Sequence, residues 1–378
     1  MHKTYIEVNL DNLRHNFLEV KKKIPRHTNI MPVIKANAYG HGVLPVAREL
    51  IDVGAKKLAI FSVEEAEELR GAGVKTPLLI LGSVFPEEAK RAVLTGASIA
   101  VFDLSVAKVL SREAKKQCKK VPVHLKVDTG MGRLGVLAEK TLPFVKALKK
   151  MPGIEIEGVF SHFSSADDPK SVLTATQLKT FKDLIAKLRK NRITFKEIHI
   201  DNSIAAMTLP VSYFDFVRPG IVLYGLSPFS RYFPRGLADI RPVLSFKTKI
   251  AQVKTLPKNH CVGYGCTYKT VRKTKVAVIP VGYADGYDRS LSNRAEVLIR
   301  GRRAPVIGRI SMELTTADVS YLKDVMAGDE VVLIGRQGKE EILTEELAQK
   351  INTISYEIVT RLPKSIPRVY IKNGKAIY

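Results

Sequence analysis

Eight short apolar runs, each followed by a stretch with helical spacing, fill roughly the first 220 residues, and this alternation constrains the fold more than any other feature. The runs are NIMPVIKA, KLAIFS, PLLILG, SIAVFD, VPVHLKVD, IEGVFSHF, EIHIDNS and, as the eighth, either FDFVR or IVLYG. Helices lie between them. SVEEAEELRGAG offers Ser62 and Glu65 as a capping box and Gly71 as a stop, and Leu178, Phe181, Ile185 and Leu188 recur on one helical face. The pattern predicts an α/β fold, a (β/α)8 TIM-type barrel, with a doubly wound open sheet as the alternative layout.

The rhythm stops at residues 227–242, SPFSRYFPRGLADIRP, where proline, glycine and serine cluster. Beyond it, short alternating segments such as SFKTKIAQVKT, KVAVIPVGY and DEVVLIG read as a mostly β C-terminal domain. The expected division is a barrel over 10–232 and a β domain over 233–378, to which the alternating segment 4–9 adds an N-terminal strand.

No stretch approaches the ~18 apolar residues of a membrane helix, and MHKTYIEVNL has neither the charged nor the apolar region of a signal peptide, so the expected location is cytoplasmic. The three cysteines, Cys118, Cys261 and Cys266, form no CxxC pair and are expected to be ordinary thiols. A net charge of +24 makes nucleic acid a partner to consider. The lysines, however, fall in short groups on helical segments with no aromatic-interleaved stripe, and specific nucleic-acid binding is not expected.

In an α/β barrel the active site lies at the C-terminal ends of the strands. There the chain places Lys35, Lys126, Asp128, His162, Asn202, Ser203 and Arg218. A lysine at a strand end can simply snorkel, or it can act as a Schiff-base lysine whose pKa burial has lowered. Likewise Ser203 reads as a helix cap or, with the amides of Gly220 and Ile221, as a phosphate site near the seventh and eighth strands. His162 reads as a structural or a catalytic histidine. A metal-dependent hydrolase, with His41, His162 and His199 as ligands, is the rival that needs no lysine; no metal is expected. A lysine and a phosphate site in one barrel point to pyridoxal 5'-phosphate.

The run VIKANAYGHG resembles the cofactor signature of alanine racemases, and HLKVDTGMGRLG, SHFSSAD, DNS, VRPGIVLYG, GYGCTY, GYADGY, GRISME and TISYEIVTRL follow in that family's order across both expected domains. The resemblance implies an isomerase that interconverts L-alanine and D-alanine by a two-base mechanism, supplies D-alanine for peptidoglycan, and works as a homodimer with shared active sites. Lys35 would hold the cofactor and act on the D-enantiomer; Tyr264 of the other chain would act on the L-enantiomer. His162 and Arg218 would poise that tyrosine. Arg218 would also face the pyridine nitrogen, and because a guanidinium keeps its proton it would leave that nitrogen unprotonated.

Arg133 would meet the cofactor's phenolic oxygen, oriented by a carbamylated Lys126. Tyr39, Ser203, Gly220, Ile221 and Tyr356 would hold the phosphate. Arg133 and the amide of Met312 would hold the substrate carboxylate, and Asp167, Tyr283, Arg289, Arg309 and Tyr356 would line an access corridor. Where a common family form reads GRICMD, this chain has Ser311 and Glu313, which bears on substrate preference. A racemase of another small amino acid such as serine, a same-fold decarboxylase and a non-catalytic cofactor-binding regulator are the alternatives.

Overall fold

Strands covered on both faces must be apolar throughout. In the computed structural model, which describes residues 3–168, 170–227 and 237–377, Leu58–Ile60, Leu78–Ile80 and Ser98–Val101 are buried at every position. They belong to a nine-stranded sheet in which Val136–Leu137 pairs only with the side of Val121–Asp128. The other members run parallel in the spatial order Asn29–Ile30, Phe216–Val217, Glu197–His199, Ile154–Phe160, Val121–Asp128, Ser98–Val101, Leu78–Ile80, Leu58–Ile60. A parallel bridge from Val33 to Ala59 joins the two ends, so the sheet closes into a barrel. The eighth strand is FDFVR; IVLYG is instead a 3-10 turn, Ile221–Tyr224, because Gly220 and the left-handed Gly225 bracket it.

Helices pack outside. Val172–Lys190 buries Leu178, Phe181, Ile185 and Leu188 against the barrel. Val63–Gly71 starts where Ser62 Oγ accepts the Glu65 amide. The return half of the expected capping box is not made: the Glu65 carboxylate accepts instead from the amides of Ala36 and Phe61, at 2.6 Å each. These are backbone donors at the C-terminal ends of the first two barrel strands, where no sheet partner remains for them.

The remainder is β. An eight-stranded sheet carries Tyr5–Asn9 between Leu244–Lys249, antiparallel, and Arg368–Lys372, parallel. A three-stranded sheet, Gln252–Leu256, Thr274–Ile279 and Thr315–Asp318, stands beside it, and Cys261–Val262 pairs with Tyr268–Lys269 as a separate hairpin. One core cluster runs from barrel residues such as Ile60 and Tyr224 to Ile6, Phe246 and Val332 of the β sheet. The expected division at 232/233 lies outside the described residues. No helix among those described is long and apolar enough to cross a membrane.

Candidate active site

Lys35 leaves the barrel not on a strand but at the start of a left-handed turn. Ala36, Asn37, Ala38 and Tyr39 all have φ between 52° and 55°. Each L-residue in that region costs roughly 1–2 kcal/mol, so four in succession persist only where surrounding contacts impose them. The contacts are visible. Glu65 takes the Ala36 amide, Asn37 Oδ1 takes the Val43 amide at 2.9 Å, and Arg368 donates to Gly40 O at 3.0 Å and 3.2 Å. Gly40 closes the turn at φ +83°, and a Cβ there would sit 2.2 Å from Val359 O. Barrel and β domain together therefore fix the direction in which Lys35 projects.

Lys35 opens into a cavity of about 380 Å³. Tyr39, Lys126, Arg133, His162, Asn202, Ser203, Arg218, Gly220, Ile221 and Tyr356 line it, with Phe61, Phe160, Leu81 and Leu134 as apolar wall. At one end Asn202 caps the helix Ser203–Thr208, accepting from Ile204 and Ala205 at 3.1 Å. The cap is thus Asn202, which leaves Ser203 Oγ to accept the Gly220 amide at 2.8 Å. A Cβ on Gly220 would lie 2.5 Å from Tyr39 Oη, so glycine alone keeps these donors together. Burial raises the Tyr39 and Tyr356 hydroxyls above the ordinary tyrosine range, which keeps both as neutral donors.

The cavity is cationic. Lys35, Lys126, Arg133 and Arg218 border it, and no carboxylate does. Burial, then Arg133, lowers Lys35 from its usual value, with Glu65 opposing. Burial, with Arg133, Arg218 and Lys35, lowers Lys126 to about 8. The ring of His162 touches the cavity but lies deep below the molecular surface; that desolvation, followed by Arg218, holds it well under the usual histidine value and so neutral. Burial lowers Arg218 to about 10, still protonated at neutral pH.

Arg218 is fixed from behind. It donates to His199 Nδ1, to Ser161 O at 2.6 Å and to Ile200 O at 3.0 Å. Since Nδ1 accepts, Nε2 of His199 carries the proton and donates to His124 Nδ1 at 3.0 Å, and His124 Nε2 then donates to Glu157 at 3.0 Å. His124, His199 and Glu197 stand close enough to suggest metal ligands, but Lys57 Nζ lies between Glu157 and Glu197 at 2.7–2.9 Å. These groups are already engaged, the two histidines with each other and Glu197 with the Lys57 ammonium. His41 is buried against the carbonyls of Ala38 and Tyr39 and packs on Tyr224, and it does not join His199 in the one candidate ligand group among the described residues.

The other sequence-predicted residues lie outside this cavity. Tyr264 stands on the small hairpin, 70% exposed, and Gly265 at its side packs on Arg309. Tyr283 N donates to Ser311 O and Ala284 N to Met312 O, which places Tyr283 beside Met312; both side chains are exposed. Arg289 shares a second, open depression with Tyr283. Asp167 is exposed but near enough to Tyr356 to contribute to its raised pKa. Cys261 and Cys266 are not free thiols: they form a disulfide with Cα atoms 4.9 Å apart, because the glycine-rich turn around Tyr264 folds back on itself. Cys118 is free and exposed.

Fold and cavity together define a class: a barrel enzyme with an appended β domain, built to hold an anionic group beside a lysine. Residues 8–228 match the alanine racemase N-terminal domain and residues 243–370 the alanine racemase C-terminal domain. The chain is 41% identical to alanine racemase 2 of Caldanaerobacter subterraneus over 98% of this chain and 96% of that one, and 43% identical to the alanine racemase of Halothermothrix orenii over 97% and 96%. The alanine racemase structure of Clostridium difficile 630 superposes with TM-score 0.95 at 33% identity, covering 100% of this chain and 98% of that one. That of Bacillus anthracis, described with bound L-Ala-P, gives 0.94 at 34% identity over 100% and 97%. The chain belongs to the alanine racemase family.

Proposed function

We propose that this alanine racemase acts through two bases supplied by two protomers, Lys35 of one and Tyr264 of the other, on alanine held by pyridoxal 5'-phosphate. The observation that carries the reading is the lysine beside three other cationic groups and a hydroxyl-and-amide cradle, with no carboxylate among the described lining residues. That donor set fits a phosphate dianion: the Ser203, Tyr39 and Tyr356 hydroxyls and the Ile221 amide would hold it, with the Gly220 amide turning to it from Ser203 Oγ, and glycine at 220 leaves the approach open. The cofactor, when bound, supplies the electron sink that makes the α-hydrogen of alanine removable by a side chain.

The chain's own residues do the rest. Lys35, already lowered by burial and Arg133, reaches its neutral, nucleophilic form more readily than a surface lysine, both to hold the cofactor and to take a proton from one face. Arg218, locked by His199 and two carbonyls, would serve the cofactor's pyridine nitrogen as a donor that keeps its proton. Arg133, on the cavity wall, would hold the cofactor's phenolic oxygen and the substrate carboxylate. Lys126, lowered to about 8, is sufficiently often neutral to take up carbon dioxide as a carbamate, whose negative charge would orient Arg133. Across the dimer, Tyr264 returns or removes the proton on the opposite face, the Met312 amide meets the carboxylate, and Asp167, Tyr283, Arg289, Arg309 and Tyr356 border the way in. D-alanine made in the cytoplasm would serve peptidoglycan.

Borohydride reduction of the purified holoenzyme tests the attachment. The reading requires a reduced pyridoxyl group on the peptide containing Lys35 and D-alanine formation from L-alanine before reduction. A cofactor fixed to another lysine, or none fixed in an active preparation, contradicts it.

A further inference from the structure

Tyr264 stands between Gly263 and Gly265, both at φ 69°, and Cys266 follows at φ 46°. Glycine on either side gives a residue the widest backbone freedom, which is the opposite of what a proton-transfer group needs. The base of the hairpin is held, since Cys261–Val262 pairs with Tyr268–Lys269, Asn259 and His260 bond Thr270, and Val262 is buried, but residues 263–266 at its tip lie beyond these pairings. The Tyr264 side chain is exposed, and among the described residues its hydroxyl makes no hydrogen bond. What closes the loop is the bond between Cys261 and Cys266, which turns residues 261–266 into a ring seated on Arg309.

We propose that the Cys261–Cys266 disulfide is the positioning element for Tyr264, so that the tyrosine side of the racemisation runs at full rate only in the oxidised chain. The inference rests on the reading of Tyr264 as the second base. The cross-link removes loop conformations that the two glycines would otherwise allow and so presents the phenol in one place. Reduction reverses this by thiol–disulfide exchange: two thiols of a dithiol reagent supply two electrons and two protons, the S–S bond becomes two cysteine thiols, and the reagent closes to its own disulfide. Both cysteines are exposed in the single chain.

The holoenzyme, its single variants Cys261→Ser and Cys266→Ser, and the double variant test the idea. Alkylation under denaturing conditions followed by mass spectrometry should find residues 261 and 266 linked in the wild type. Each single variant and the double should lose about 5- to 50-fold in kcat with KM changed less than about twofold, and the three should match, because one cross-link is lost in every case. The isotope effect on α-deuterated L-alanine should rise, since its proton goes to the loosened tyrosine, and that on α-deuterated D-alanine should fall. Amide exchange across 262–267 should quicken. Wild type reduced with dithiothreitol should behave as the variants do and recover on oxidation with oxidised glutathione, which excludes a mere folding defect. Free thiols at both positions in active wild type, or variants with wild-type kcat and isotope effects, overturn the proposal. If Tyr264→Phe abolishes activity while the serine variants are unaffected, only this inference fails; if Tyr264→Phe is fully active, the two-base reading fails with it.

Discussion

At the barrel mouth, Lys35 is partly buried: its turn is held by Glu65, Asn37 and Arg368, its cavity is lined by Phe61 and Phe160, and burial followed by Arg133 lowers its pKa. On the β domain, Tyr264, Tyr283 and Met312 stand 70%, 43% and 57% exposed, with solvent where a wall would be. Burial and a neighbouring cation both lower a lysine's pKa, and the barrel supplies both within one chain. The proposed tyrosine base would need a comparable environment, and a single chain leaves Tyr264 exposed. The contrast is what the proposed shared site requires, with the barrel mouth as one half and the β-domain face of a second copy as the other.

The comparison breaks first at Lys35. Lys35→Ala should lower racemisation by about three orders of magnitude or more, and millimolar methylamine should restore part of it if the cavity is otherwise intact. A variant that keeps within tenfold of wild-type rate would remove the enclosed lysine from the chemistry.

Next comes the support of the turn. Gly40→Ala adds a Cβ 2.2 Å from Val359 O, whereas Gly73, at nearly the same φ, has nothing within 4 Å of its Cβ position. Both variants bear the backbone cost of a left-handed alanine, about 1 kcal/mol, but Gly40→Ala should lose a further ~1–3 kcal/mol in urea unfolding. Equal losses would show that the β domain does not clamp the turn.

The cationic wall gives a smaller, pH-dependent effect. Lys126 titrates near 8 in the folded chain against about 10.4 unfolded, so between these values the unfolded chain binds more protons and stability rises with pH. Below about pH 8 its buried charge is a full cost. In buffer freed of carbon dioxide, so that no carbamate forms, Lys126→Gln should therefore stabilise the cofactor-free protein by ~1–3 kcal/mol at pH 7 and by nothing above about pH 10.5. A benefit that does not change with pH would assign the gain to packing rather than charge. Carbon-13 bicarbonate should also give a carbamate signal in the wild type that this variant lacks.

Much of the barrel was legible because burial writes itself into the sequence. The apolar runs are strands, and the ambiguity between FDFVR and IVLYG resolved on backbone geometry around Gly220 and Gly225 that periodicity does not report. Lys35, Ser203 and Arg218 stood out as polar residues at the ends of apolar runs, and the cavity brings all three together. Glu65 did not stand out. Its spacing from Ser62 read as a capping box, but its carboxylate caps amides of two other segments, one of them 29 residues away. The His199–His124–Glu157 chain behind Arg218 was invisible for the same reason, since its members come from three strands. The disulfide was missed because no CxxC spacing marks it; GYG between the cysteines, a tight turn able to bring them together, was the signal available.

The shared site is the central claim, and mixing two crippled chains tests it most directly. Lys35→Ala and Tyr264→Phe homodimers should each be nearly inactive. After subunit exchange, with mixed dimers verified by native mass spectrometry, one site of each carries both lesions and the other carries none. Activity should return at up to one working site per mixed dimer. Mixed dimers that form and stay as inactive as their parents would place both bases in one chain and contradict the account.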